Sequence, residues 1–208
     1  MTAVPDPPHP FNAADEWLRT GERLYRVHSS ARLVTEFNPG VGEPTRFAFF
    51  GDPPVPVLYA ANTREAAVAE SLLHDIPVTG GLLPYGKYAD KVMGLIVTRR
   101  DLRLAKLSGL GLRRLGVEAR ELTDTDAADY PRTVRWAAAA HQAGFDGLSW
   151  TSHKCNDTRV VVLFGDRCHD AVEQDDSFAC VFQIGVDLDW LIAICGPLNV
   201  DVMPPGAR

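Results

Sequence analysis

One carboxylate, two arginines, a tyrosine and a serine stand where chemistry can be built from them: Glu70, Arg26, Arg46, Tyr59 and Ser152. Glu70 lies four residues after Ala66 and three before Leu73 in NTREAAVAESLLHD, at the border of the apolar side of a helix. A carboxylate there is costly to bury unless something pairs with it; the plain alternative is a partly exposed side chain paired with Arg64 or His74. Arg26 and Arg46 each offer a planar fork of donors to anionic oxygens, and a surface arginine is the alternative for either. Strand alternation turns Arg26 away from Tyr25 and Val27, so its face is functional if the opposite face is core. Tyr59, inside VPVLYAA, has the character to stack on a flat ring. A strand tyrosine is also an ordinary core residue with its hydroxyl at the rim, and both roles can coexist. Ser152 has no GxSxG context and reads as a hydrogen-bonding group, not a covalent nucleophile. Ser149, three residues earlier, faces the other way in an ideal strand, so only one of the two points into a given cleft.

The elements that must position these side chains read as follows. Residues before about Asp15 carry four prolines and few large apolar groups, so an extended or mobile leader (1–15) is expected, the fold beginning near Trp17 with a short helical turn before the first strand. GERLYRV predicts a first strand and VPVLYAA a second, with Pro56 pushing the start of the second toward an edge or a bulge. Asn62 followed three residues later by Glu65 predicts a capping-box start for the helix that carries Glu70. MGLIVTR and LRLAKL predict strands, and PRTVRWAAAAHQAG a helix with proline in its first turn and Gly144 as its stop. DGLSWTS and RVVVLFG predict two more strands; of FACVFQIG and DLDWLIAIC, one reads as a strand and the other is ambiguous by period. Short mixed strands with two clear helices give an α+β domain over residues 16–200, with residues 201–208 fraying.

At 208 residues and 46% hydrophobic, the chain suits a single domain with one sizeable core. A formal charge of −6 argues against a broad nucleic-acid surface and leaves room for a small anionic ligand in a local pocket. The N-terminus lacks the basic start and apolar core of a secretory signal, and VVVLFG and DWLIAICG fall short of the roughly 20 apolar residues that span a bilayer, so a soluble cytoplasmic protein is expected. Cys155, Cys168, Cys180 and Cys195 would then be free thiols. His153, Cys155, Cys168 and His169 lack the paired spacing of a zinc site, and Cys155 with His141 or His153 sits in no thiol-nucleophile motif. GLGLRRLG has no third glycine at dinucleotide spacing. Between Arg99 and Arg114 six basic residues face one acidic, a solvated face in the plain reading and a docking site for an acidic partner segment in the other.

The contexts LYRV around Arg26, PTRFAFFGDPPVPVLYAANTREAAVAE carrying Arg46, Tyr59 and Glu70, and AGFDGLSWTS with Ser152 resemble, in order, the signature of the RES family, named for its Arg, Glu and Ser. The resemblance implies a fold similar to the ADP-ribosyltransferases, with short mixed strands in a split sheet flanked by helices and a cleft between two small sheets. It implies the toxin of a bacterial toxin–antitoxin pair that degrades NAD at the nicotinamide–ribose bond, with phosphate (a phosphorylase) or water (a glycohydrolase) as acceptor. NAD would be substrate, inorganic phosphate a co-substrate, and no bound cofactor or metal would be needed. Nicotinamide leaves as a neutral base, so the barrier lies in positive charge growing on the ribose, which Glu70 would stabilise while hydrogen-bonding ribose hydroxyls. Arg46 and Ser152 would complete the catalytic set; Arg26, Tyr59 and Arg46 would bind NAD. The expected partner is an Xre-like antitoxin, with a homo-oligomer also open. A protein ADP-ribosyltransferase, or a catalytically weak RES-like protein that mainly binds a partner, are the alternatives. The chain departs from the family where Phe47 and Ala48 follow Arg46, in place of the common Trp-Asn pair, and in its longer segment after Gly165.

Overall fold

The strand-forming strings LRLAKL and GLSWT fold as read, and they lie side by side in a large sheet. The computed structural model describes residues 4–206. Its strands are β1 (Asp15–Leu18), β2 (Arg23–Ser29), β3 (Val57–Ala61), β4 (Gly81–Leu83), β5 (Lys91–Thr98), β6 (Leu102–Leu107), β7 (Gly147–Thr151), β8 (Arg159–Phe164), β9 (Val172–Val181) and β10 (Val200–Val202). Its helices are α1 (Arg64–Ser71), α2 (Tyr85–Tyr88), α3 (Leu110–Leu115), α4 (Ala119–Leu122), α5 (Tyr130–Gln142), α6 (Gly165–Cys168) and α7 (Gly185–Cys195). The strands divide into two unequal sheets, one of eight in the order β1-β6-β7-β8-β3-β2-β5-β9 and one of two, β10-β4. Only β6–β7 in the large sheet and β10–β4 pair in parallel. The fold is a mixed sheet flanked by helices within one domain, the expected α+β class.

Alternation in the central strands builds a core on each face of the large sheet. Along β8, Val160, Val162 and Phe164 enter one cluster with Phe47, Trp136 and Trp150, while Val161 and Leu163 enter a second with Leu18, Leu24, Leu58 and Ile96. Helices α1 and α5 contribute to the first cluster, through Ala66, Ala67 and Val68 and through Trp136, Ala137 and Ala140. That face therefore carries whatever chemistry α1 presents.

Several expectations are corrected. The predicted helical turn before the first strand is instead β1, paired antiparallel with β6. From Val4 onward the leader is extended but not mobile: Val4 and Ala13 are buried, Pro5 O accepts from Trp136 Nε1 at 2.9 Å, and Phe11 meets the edges of Trp136 and Phe145, while residues 1–3 lie outside the described chain. Strand β3 is central, between β8 and β2, because Pro56 stops one residue short of it and spends its carbonyl on Gly165 N. Thr63, not Asn62, caps α1, accepting from Ala66 N; Asn62 Oδ1 accepts instead from Arg159 N of β8. The ambiguous DLDWLIAIC lies in α7, and residues 200–203 are held rather than frayed, through β10 and the bond from Met203 N to Leu83 O. Residues 207 and 208 lie outside the described chain.

Candidate active site

Between α1, the β2–β3 connection and the start of α5 lies a cleft of about 760 Å³, within the usual range for a small-molecule site. Arg26, Arg46, Tyr59 and Glu70 line it, together with His74, Tyr130 and Trp150. Ser152 reaches it through Glu70. Its hydroxyl, with no exposed surface, donates to Glu70 Oε1 at 2.6 Å and accepts from Lys154 N at 3.2 Å and Cys155 N at 3.1 Å. Two backbone donors thus polarise a hydroxyl that fixes one carboxylate oxygen. Among the described residues no cation pairs with Glu70, so neither expected surface partner is found: Arg64 lies against the ring of Trp190, and His74 meets Tyr130. The choice between the two serines is resolved by register. Ser149 pairs with Val161, whose side chain belongs to the core on the far face. Ser152 lies just beyond the end of β7, where the chain turns toward α1.

Arg46 is 8% exposed and has no carboxylate partner among the described residues. One Nη donates to Thr125 O at 3.1 Å, Nε is buried without a partner, and the guanidinium lies over the ring of Tyr130. A buried cation with unused donors at a cleft wall is equipped to take an anionic oxygen. Tyr59 holds the segment around it. Its hydroxyl meets Thr45 Oγ1 at 2.9 Å and accepts from Phe47 N at 3.2 Å, the residues on either side of Arg46. Burial pushes that phenol up to about 12, so it stays protonated, and its ring stands edge-on to Trp150. Thr133 of α5 adds a bond to Arg46 O. Phe47 and Ala48, the departure after Arg46, are fully buried core, Phe47 packing against Trp150. Neither lines the cleft, and both anchor the loop in the core.

Arg26 is arranged differently from the other four. Its Nη1 donates to Val34 O at 2.6 Å and to Glu36 O at 2.7 Å. Burial lowers its pKa to about 10, against the attraction of Glu36. Tyr25 and Val27 pack on the cleft-side core, while Leu24, two residues before Arg26, belongs to the opposite one. Its partner across the strand, Gly94, leaves the space into which Val34 packs, since a Cβ there would stand 2.8 Å from Val34 Cγ2. Arg26 therefore braces the segment after β2; alternation turns it away from Tyr25 and Val27 as read, but onto a face that also carries core.

Sequence reading missed His74 as a site residue, along with Tyr130. His74 Nε2 lies 3.2 Å from Tyr130 Oη. Burial and then Arg46 push the His74 pKa below its ordinary value, while Asp75 and Glu70 pull it up. The sequence reading ran one helix through both residues, whereas α1 ends at Ser71 and His74 lies in the turn that follows it.

The other signals lead away from the cleft. No group of three His, Cys, Asp or Glu residues gathers as metal ligands among the described residues, and the four cysteines are free thiols. GLGLRRLG does join β6 to α3, but α3 has six residues and lies outside the cleft lining. The basic run is largely paired within the chain: Arg99 with Glu173, Arg100 with Asp146, Arg103 with Asp15 and Lys106 with Glu16. That favours the solvated-face reading. Among the described residues no helix is long and apolar enough to cross a membrane.

Residues 23–183 match the RES domain, a span that holds every residue of the cleft described above. No curated protein matches the chain. Among solved structures, a chain from the crystal structure of the M. tuberculosis MbcT–MbcA toxin–antitoxin complex superposes with a TM-score of 0.56 at 15% identity, over 88% of this chain and 91% of that one. Both α7 and β10 fall beyond the matched domain. With more than half its length matched, the chain belongs to the RES domain family.

Proposed function

We propose that this protein is the toxin of a toxin–antitoxin pair and that it degrades NAD by cleaving the nicotinamide–ribose bond, passing ADP-ribose to phosphate or water. The single observation that carries the chemistry is the carboxylate of Glu70, held by the polarised Ser152 hydroxyl in a cleft that also presents the under-used guanidinium of Arg46. Loss of neutral nicotinamide leaves positive charge on the ribose, and a fixed anion beside it stabilises that charge without giving up a proton. Arg46 would meet a phosphate or ribose oxygen, and Tyr59 would hold Arg46 in place while offering its ring to the nicotinamide. Arg26 would serve NAD indirectly, by fixing the segment behind the cleft. The toxin role is supported by the RES membership and by likeness in fold to a protein of a toxin–antitoxin complex. An antitoxin partner follows, Xre-like if the family pattern holds.

Quantifying NAD, nicotinamide, ADP-ribose and ADP-ribose-1″-phosphate, with and without inorganic phosphate, tests this reading on protein purified free of partner. Glu70→Gln keeps the shape and loses the charge. It should slow nicotinamide release by about 100-fold or more, a magnitude typical of removing transition-state charge stabilisation. Unchanged NAD after incubation with folded wild-type protein sinks the reading.

A further inference from the structure

The oxygen that attacks the ribose carbon needs somewhere to leave its proton, and Glu70 is poorly placed to take it. One of its oxygens already receives the Ser152 hydroxyl, and its negative charge is needed beside the ribose. Sugar-transfer sites in which a water attacks from the face opposite the leaving group place a second base across the sugar. Besides Glu70, the cleft lining holds three groups of suitable type: Glu43, Asp75 and His74. Glu43 and Asp75 are exposed, and Asp75 is paired with Lys87, whereas His74 is half-buried and hydrogen-bonded to Tyr130. The groups that act on the His74 imidazole are Arg46 from the β2–β3 connection, Glu70 of α1, the neighbouring Asp75, and Lys154 from the β7–β8 turn, with the Tyr130 hydroxyl of α5 bonded to it.

Resting on the NAD-cleaving reading, we propose that His74 is the general base that accepts the proton of the attacking hydroxyl, and that Tyr130 is the positioning residue that holds its ring. In the tautomer whose Nε2–H donates to the Tyr130 oxygen, Nδ1 keeps its lone pair. As the C1″–N bond breaks, its electron pair stays on the departing nicotinamide. The acceptor oxygen forms the new bond to C1″, and its proton passes to Nδ1. The imidazolium then releases that proton to solvent, so water and NAD give ADP-ribose, nicotinamide and one proton. Phosphate as its dianion attacks through an oxygen that carries no proton and has little need of His74. The residue thus acts selectively on hydrolysis. Because burial and Arg46 keep the imidazole neutral down to below its ordinary pKa, the base is available at neutral pH.

The experiment measures nicotinamide release from NAD between pH 5 and 8, without phosphate and with saturating phosphate, for wild type, His74→Gln, His74→Ala and Tyr130→Phe. Wild-type hydrolysis should rise with pH along an acidic limb below about 6.5, the ordinary histidine value, and then level off. His74→Gln should lose that limb and about 100-fold in kcat, with KM for NAD little changed and phosphorolysis reduced much less. Added imidazole should restore His74→Ala hydrolysis in proportion to its neutral form. Tyr130→Phe should keep the limb at about one-tenth of the wild-type rate, the worth of one hydrogen bond. Wild-type acidic limb and rate in folded His74→Gln, or equal losses of hydrolysis and phosphorolysis, overturn the proposal. Wild type that releases nicotinamide only with phosphate overturns it too, leaving NAD cleavage standing. Wild type that releases none removes both readings at once.

Discussion

At the scale of single residues, the cleft is organised by groups that hold other groups. Ser152 holds Glu70, and Tyr59 holds Arg46 through the neighbours on each side of it. The second arrangement separates two roles that a tyrosine can play. If the Tyr59 ring alone serves a ligand, Tyr59→Phe costs nothing, since the ring remains. If the hydroxyl clamps the Arg46 segment, the same change removes two hydrogen bonds, together about 1–3 kcal/mol at the usual worth of each. Expected is a loss of roughly 10-fold or more in kcat/KM for NAD, with the secondary structure intact by circular dichroism. A Tyr59→Phe variant with wild-type kinetics would assign the residue to stacking alone. That Arg46, Tyr59, Glu70 and Ser152 would lie together was implied by the resemblance of their contexts, and the turn of Arg26 away from its neighbours followed from strand alternation. That Arg26 ends on two backbone carbonyls was not, because its partners lie on a segment with no pattern of its own.

At the scale of elements, α1 places Glu70, and its start shows where sequence reasoning reaches its limit. Asn62 and Thr63 are both good caps, and adjacent in the chain. Local preference favours neither strongly. The choice falls to Thr63 because Asn62 is drawn away by Arg159 N on β8, a partner 97 residues distant. Thr63→Ala should therefore cost about 1 kcal/mol of stability, measured by urea unfolding, and should lower activity by loosening the first turn of the helix that bears Glu70. Asn62→Ala should leave the helix cap intact and weaken the β3–β8 corner instead. Equal behaviour of both variants in helix content would contradict this division. The same logic separates what was legible elsewhere. LRLAKL, GLSWT and the proline-started α5 follow from local pattern alone. By contrast, β1 is four residues long with one fully buried position, and only its partner β6 makes it a strand. Central placement of β3 against the expectation raised by Pro56 is likewise a fact of pairing, invisible to a reading that knows only neighbours in the chain.

At the scale of the whole molecule, the buried titratable groups set a window of pH in which the fold is most stable. His28 and His74 both have depressed pKa values, in each case chiefly through burial. The unfolded chain, with histidines near 6.5, then binds more protons than the folded one as pH falls through that value. Their contribution is fully present above about 6.5 and is lost as pH drops through the lower folded values. A second loss follows in the carboxylate range. There Asp175 is held down to about 2 by Ser177 and Arg23, and Asp90, Asp101 and Glu36 are lowered by the side chain of Lys91, the backbone N–H of Thr20 and the side chain of Arg32 respectively. On the alkaline side the sign reverses. Burial raises Cys168 and Cys180 to about 12 and Cys195 to about 11, so unfolded thiols ionise near 8.5 while folded ones do not, and stability declines as pH rises from there through the folded values. The urea midpoint, measured in reductant at constant ionic strength, should form a plateau between about pH 7 and 8.5, fall first below about 6.5 and fall again above about 9. His74→Gln should shrink the first acidic step while leaving the alkaline one untouched, since no cysteine shift draws on His74. A midpoint that climbs as pH is lowered from 7 to 5.5 would mean that the two histidines gain partners on folding instead of losing water, and the cleft around His74 would then have to be more open than this packing allows.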